Sequence, residues 1–313
     1  MEGKTTTKKT TQASTAPRSD VYERVTARIV AELEQGTRPW LKPWSAPTDD
    51  RLPSLPLRAS GTPYRGINVL LLWGATFEGG YRSNVWMTYK QAAERGAQVR
   101  KGEHGSLVVY ADRYTKTETD DQGQDAEREI AFMKGYTVFN VEQIDGLPAE
   151  LYQPPAPLDD GRTVELIDEA EAFIAKTAAT IRHGGNRAFY ATGTDHIQMP
   201  PLQAFKDAQS YTATKAHELV HWTGHPSRNA REFGKRFGDR AYAFEELVAE
   251  LGAAFLCADL GIAPELREDH ASYLAHWLKV LKDDKRAIFT AASHAQKAAD
   301  FLHSLQASRE QTA

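Results

Sequence analysis

The sequence predicts an α+β protein of two domains, a small mixed α/β unit followed by a mainly helical unit with a short sheet. Three observations carry that expectation. Up to about residue 147 of the 313-residue chain, short apolar runs alternate with glycine turns, whereas from Leu202 onward apolar residues recur almost throughout at helical spacing. Between the halves lies LYQPPAPLDDG at 151–161, a proline-rich composition of the kind that separates domains. Charge changes sign as well: residues 1–117 carry 18 Lys+Arg against 11 Asp+Glu, and the remainder 20 against 31. A chain of this length has enough surface to bury two cores.

Residues 1–18 are rich in Thr, Ser and Lys and nearly devoid of large apolar groups, so they are expected to form a disordered basic tail. Order is expected from Ser19 or Asp20, either of which can cap a helix carrying Val21, Val25, Ile29, Val30 and Leu33 on one face and stopped by Gly36. The run RPWLKPW that follows is barred from helix by Pro39 and Pro43. In TPYRGINVLLLWG, periodicity leaves helix and strand open. A short helix is expected from Thr88 to Arg95, ended by Gly96. A strand at 107–114 is expected to pair antiparallel with 130–141 across an acidic insert, Thr117–Glu129. These elements make a first domain at 19–147, and 148–161 a linker. The second domain, 162–313, is expected to open on one amphipathic helix, TVELIDEAEAFIAKTAATI. Two extended segments, NRAFYAT and DHIQMP, come next, and then helices to the end.

Composition narrows the function classes. No apolar run is long enough to span a bilayer, and MEGKTTTKKTTQASTAPRSD has no secretory h-region, so a membrane partner is not expected and a cytoplasmic location is. The single cysteine, Cys257, sits in an apolar helical run and is expected to be buried and inert.

The chemistry lies in YTATKAHELVHWTGH, residues 211–225. On a helix His217 and His221, at i and i+4, turn both imidazoles to one ion, while Glu218 stands beside the metal rather than on it. That position suits a general base acting on water acidified by the metal, which makes Glu218 the candidate catalytic residue and zinc the expected ion, with manganese as the other candidate. A third ligand is expected from YAFEELVAELGAAFLCADLG, where Glu246 and Glu250 share a helical face. Glu246 would complete a two-His, one-Glu site with an open position, and Glu250 would accept the free ring N–H of a ligand histidine. Glu245, about 100° round the helix, is expected at solvent or as a cap, and is the second choice of ligand. Tyr242 could donate to a tetrahedral intermediate, although an ordinary packing role is expected more often. DHIQMP is expected to be the edge strand for an extended peptide. His225 follows His221 too closely for the longer three-histidine motif and is given a second-sphere or surface place. His270, His276, His294 and His303 are given core or surface roles, and LKVLKDDKRAIF no chemistry.

Taken together, DVYERVTARIVAELEQGTRPWLKPW, PYRGINVLLLW, HELVHWTGH, EELVAELGAAFL and LKVLKDDKRAIFTAASHAQKAADFL resemble the ArdC antirestriction family of conjugative plasmids over almost the whole ordered chain. The resemblance implies an N-terminal domain that binds DNA, preferably single-stranded, and a C-terminal zincin-like metallopeptidase domain. It also implies protection of incoming plasmid DNA from host restriction. The likeness of the motif region to ImmA/IrrE-like peptidases implies the Glu of Glu246-Leu247-Val248-Ala249 as third ligand. In the first domain aromatics interleave with cations, as a platform for single-stranded DNA requires. Trp40, Trp44 and Tyr64 are the candidate stacking rings, and Arg38, Lys42, Arg65, Lys90, Arg100 and Lys101 the candidate phosphate contacts. For any one ring, a core role competes. A protein substrate or a restriction enzyme is a further candidate partner. Two other readings stay open: a non-catalytic DNA-binding protein with a structural metal, and a regulatory peptidase acting on a repressor.

Overall fold

A computed structural model of the chain describes residues 20–40, 54–119, 125–153, 160–234, 239–263 and 270–307. The basic tail, Lys42, Trp44 and residues 154–159 of the proline-rich linker lie outside the described residues.

The fold is α+β. Helix α1 (Val21–Glu34) starts where the Asp20 carboxylate accepts from Tyr22 N–H at 3.2 Å, and it stops at Gly36, whose φ of 72° only glycine adopts freely. The ambiguous apolar run becomes helix α2 (Ile67–Gly79), buried over most of its surface. It can afford that because it lies along the open edge of a sheet: Asn68 accepts from Val109 N–H at 2.7 Å and donates to Val109 C=O at 2.8 Å. Helix α3 (Tyr89–Glu94) carries a capping box between Thr88 and Gln91.

The first sheet has the order β1-β2-β5-β4, made by β1 (Leu57–Arg58), β2 (Val85–Met87), β4 (Ser106–Thr119) and β5 (Asp125–Asn140). The expected hairpin forms, with Leu107 opposite Thr137 and Tyr114 opposite Ile130, and it runs on through much of the acidic insert to Thr119 and Asp125. A second ladder joins β3 (Gln98–Val99) to β6 (Ile144–Asp145).

In the second half, the segment expected to be one helix is a helix and a strand. Helix α4 spans Asp160–Lys176, Ala178 turns the chain at φ 60°, and β7 (Thr180–His183) follows. The β-branched Thr180 and Ile181 pair in parallel with β9 (His196–Met199), and β8 (Phe189–Ala191) lies antiparallel on the other side of β9. The order β7-β9-β8 puts the DHIQMP strand in the centre; the edge strands are β7 and β8. Then come α5 (Ala208–Thr223), α6 (Arg240–Leu260), α7 (His270–Asp283) and α8 (Ala287–Ala307).

One apolar cluster runs through both halves: Val25, Ile29, Leu33 and Trp40 with Leu70, Leu71 and Trp73, and with Leu247, Phe255, Trp277, Leu281 and Ile288. Each fully buried large side chain contributes about 1.5–3 kcal/mol, so this shared surface holds the N-terminal helices firmly on α6, α7 and α8. A smaller cluster around Ile197, Met199, Leu219 and Leu256 fastens the β7-β9-β8 sheet to α5 and α6. Helix α5 is therefore enclosed, and its polar side chains need partners. Lys215, for instance, is buried and reaches Glu171 at 2.6 Å.

Candidate metal centre

Asp207 opens α5 by accepting from Ser210 N–H at 2.7 Å, and Gly224 closes it. Between them the i, i+4 spacing sets the His217 and His221 rings 4.9 Å apart, facing α6. The two helices can approach because α6 carries Gly252 opposite Val220: a Cβ there would stand 2.8 Å from a Val220 methyl. Glu246 then projects between the histidines. Its carboxylate oxygens lie 3.6 Å from His217 Nε2 and 3.5 Å from His221 Nε2.

Those separations are long for hydrogen bonds, yet they suit ligands of one ion. Tetrahedral bonds of about 2.0–2.1 Å hold ligand atoms roughly 3.3 Å apart. One atom from each of the three residues fits within a 4.8 Å span. The donor set, two imidazoles and a carboxylate, suits a divalent ion with one position left open.

The surrounding charge favours a cation. Burial pushes the Glu246 carboxyl up, but the imidazoles of His221 and His217 overcome it and hold it well below the usual range. Burial likewise pushes His221 down, and the carboxylates of Glu246 and Glu245 reverse this, holding its proton far above the ordinary histidine range. A divalent ion held by these residues would take the place of that proton.

Glu245 was expected at solvent. It is instead 3 % exposed, because α6 is enclosed on nearly all sides and turning 100° round it leads to another interior. Its Oε1 lies 3.1 Å from His221 Nδ1, and both its oxygens accept from Arg231, at 2.8 and 2.9 Å. Arg231 also donates to Val220 C=O and Thr223 Oγ1, at 2.7 and 2.8 Å. This guanidinium, in the loop after α5, was not anticipated; a single Arg fourteen residues before its partner leaves no pattern to read. Glu250, buried, faces His217 Nδ1 at 3.9 Å, beyond direct hydrogen-bond length. His225 stands apart from the ion site, where its Nδ1 meets Ser227 Oγ at 2.7 Å.

His217, Glu218, His221, Glu245 and Glu246 line a cleft of about 900 Å³. One wall is β8 with the loop before it, residues 185–190; another carries Tyr242 and Tyr273, joined through their hydroxyls at 3.1 Å. Burial, then that hydrogen bond, then the nearby Glu246 charge push the Tyr242 phenol far above its ordinary value, so it stays protonated. The β8 wall is fixed to the metal helix by Arg228, which donates to Trp222 C=O at 2.6 Å and to Asp195 at 3.0 Å. The Arg228 hydrogen bond draws the Asp195 carboxyl down to about 2.

Among the described candidate DNA contacts of the first domain, both aromatic rings are buried. Trp40 is completely buried, edge-on to Trp277 at 6.1 Å, and Tyr64 lies in another cluster under the Arg58 guanidinium. Neither ring is open to a base, because the chain after α1 folds back and uses its large apolar groups as core. Arg38 stands 5.9 Å over the Trp277 ring, Arg65 pairs with Asp300 of α8, and Lys90 approaches Glu94 at 3.7 Å. Arg100 bonds Glu103 at 2.7 Å, and Lys101 is exposed. One exposed aromatic pair among the described residues was not singled out in the sequence: Tyr110 and Tyr136, 49 % and 46 % exposed on the β4–β5 hairpin with ring centroids 6.4 Å apart. No helix among the described residues is long and apolar enough to cross a membrane.

Comparison with known proteins agrees with this arrangement. A family described as the N-terminal domain of anti-restriction factor ArdC matches residues 19–139, and one described as zincin-like metallopeptidase matches 168–294. The crystal structure of the antirestriction ArdC protein from the R388 plasmid in its metal-free form is 47% identical; the alignment covers 92% of this chain and 98% of that one, with a TM-score of 0.77. The Mn(II)-bound form of that protein gives 46% identity over 93% and 99%, with a TM-score of 0.74. Among curated relatives, the uncharacterized protein y4eC of Sinorhizobium fredii is 44% identical over 96% of both chains. A DNA primase TraC of Escherichia coli is 40% identical over 90% of this chain, which spans only 27% of that much longer protein. The chain belongs to the ArdC antirestriction family, an ArdC N-terminal domain joined to a zincin-like metallopeptidase domain.

Proposed function

We propose that this protein binds single-stranded DNA through its first domain, 19–147, and hydrolyses peptide bonds at a metal in its second, 162–313, so protecting incoming plasmid DNA from restriction in the cytoplasm. The observation that carries the peptidase reading is the placing of His217, His221 and Glu246 in an open cleft with Glu218 beside them. The ligand set is His217, His221 and Glu246, with zinc or manganese as the ion. The chemistry such an ion supplies when bound is Lewis acidity, toward water and toward a peptide carbonyl.

The protein's own groups do the rest. Glu218 takes a proton from the water whose oxygen attacks the carbonyl carbon, and it delivers that proton to the amide nitrogen as the C–N bond breaks. Tyr242, protonated at the cleft wall, donates to the oxygen on which charge develops. Glu245, held by Arg231, fixes the orientation of His221, and Glu250 faces His217 in the same sense. The free edge of β8 receives the substrate backbone. The DNA reading is supported by the excess of cations over residues 1–117, by the ArdC-type match in the first domain and by the likeness to a DNA primase. On this reading Tyr110 and Tyr136 stack bases, while Arg38, Lys90, Arg100 and Lys101 follow phosphates.

Glu218→Gln tests the catalytic half. The variant is expected to keep its metal, measured by elemental analysis, and to lose cleavage of fluorogenic peptides by about 10²–10⁴-fold. Retained cleavage would remove Glu218 from the mechanism. A wild type that holds metal and cuts nothing would favour the second reading, a DNA-binding protein stabilised by its ion. Binding of single-stranded oligonucleotides to the full chain, falling steeply with salt, tests the other half.

A further inference from the structure

Two cations stand in the cleft outside the groups just described. Arg187 belongs to the loop that leads into β8, and Lys206 to the segment before α5; both are exposed and both line the cavity that holds His217 and Glu218. Three less exposed cations of this domain are consumed. Arg228 is bonded to Asp195, Arg231 to Glu245 and Lys215 to Glu171. Arg187 and Lys206, in contrast, make no ion pair and no side-chain hydrogen bond among the described residues. The acid nearest Lys206 in sequence, Asp207, is engaged in capping α5, where it accepts from both Ser210 N–H and Ser210 Oγ at 2.7 Å.

In a half of the chain where acids outnumber bases 31 to 20 beyond residue 117, two unpaired cations in one cleft form a local field of their own. Arg187 stands in the wall made by β8 and the loop before it, and the outer edge of β8 has no strand partner among the described residues. A chain laid along that edge turns alternate side chains to the same side, so a carboxylate near the reacting bond comes within reach of the long Arg187 and Lys206 side chains. Phe189, 43 % exposed, and Phe205 flank the same cavity and offer apolar contact to neighbouring positions.

We infer that the cleft selects extended polypeptide carrying an Asp or Glu beside the scissile bond, with Arg187 and Lys206 as the specificity determinants. The inference rests on the reading of the cleft as a peptide site, and its test separates the two. Metal-loaded full-length protein with Glu218→Gln is titrated with labelled decapeptide pools, randomised at outer positions and carrying Glu, Gln or Lys at the two central ones. Exposed ion pairs alter affinity modestly, so the Glu pool is expected to bind roughly three- to tenfold tighter than the Gln pool, with Lys weakest and the order fading as salt rises. The added pair Arg187→Glu and Lys206→Glu, checked for unchanged metal content and Tm, is expected to reverse the order in favour of Lys.

Equal binding of the three pools, or an order that survives charge reversal, overturns the selectivity while leaving the peptide site standing. No binding of any pool by metal-loaded protein overturns both. Displacement of the Glu pool by a short thymidine oligonucleotide, lost in the charge-reversed variant, would assign the cations to phosphate instead and also overturn the inference.

Discussion

Replacing Arg231 by Met isolates what the buried charge beneath the metal contributes. The side chains of Arg231 and Glu245 are 3 % and 4 % exposed, and their bidentate contact is backed by two further donations, to Val220 C=O and Thr223 Oγ1. Removing one partner of such a pair costs about 3–5 kcal/mol, because the other charge stays buried without compensation. The loss is expected at about 3 kcal/mol in metal-free protein, where the His221 imidazolium still faces Glu245 at 3.1 Å. Urea unfolding in the presence of chelator measures it. The double variant Arg231→Met, Glu245→Met is expected to recover most of that stability, since an apolar pair of similar volume replaces both charges. It should not recover the metal: with no acceptor on His221 Nδ1, affinity is expected to stay about 10–100-fold weaker than wild type. The reasoning is refuted if the single variant loses less than about 1 kcal/mol, or if the double variant is as unstable as the single.

Gly252→Ala gains about 1 kcal/mol of helix propensity but places a Cβ 2.8 and 3.0 Å from the two Val220 methyls, which a β-branched side chain on an enclosed helix cannot move aside. Overpacking of about 1–3 kcal/mol is expected to outweigh the gain and to spread α5 from α6, so a metal titration should show affinity weakened about tenfold or more; unchanged affinity counts against this account of the site. Metal binding should also be proton-linked. The folded, metal-free pKa of His221 is raised from 6.5 to about 10, so its stabilising proton is fully present below 6.5 and lost as pH rises through about 10. At neutral pH the ion must displace that proton, and apparent affinity is expected to rise about tenfold per pH unit between 7 and 9. Calorimetry in buffers of different ionisation enthalpy reads the released proton directly, and its absence would falsify the linkage.

Local patterns were legible wherever the governing physics is local. The Asp20 cap and the Gly36 stop, the short helix begun at Thr88 and the pairing of 107–114 with 130–141 depend on neighbours or on strong alternation. The fate of 163–181 was not legible, because no proline or glycine lies between Lys176 and Thr180 and the break sits at Ala178, an exposed alanine at φ 60°. Nor was the fate of the aromatics. Trp40 looks the same as a stacking platform and as a core residue until α1 is seen lying on α7.

The sequence puts His217 and His221 on one helical face with Glu218 adjacent, since a period of 3.6 residues dictates it. It also placed Glu246 on a helix able to supply a third carboxylate, and family likeness pointed to the same residue. How that helix approaches is a matter of tertiary packing. Gly252 against Val220 sets the spacing, and enclosure of α6 turns Glu245 inward to His221 and Arg231 instead of out to water. Packing likewise put β8 rather than β9 at the cleft and left Arg187 and Lys206 unpaired beside it. These outcomes depend on contacts between residues far apart along the chain, for which a single sequence carries no periodic signal.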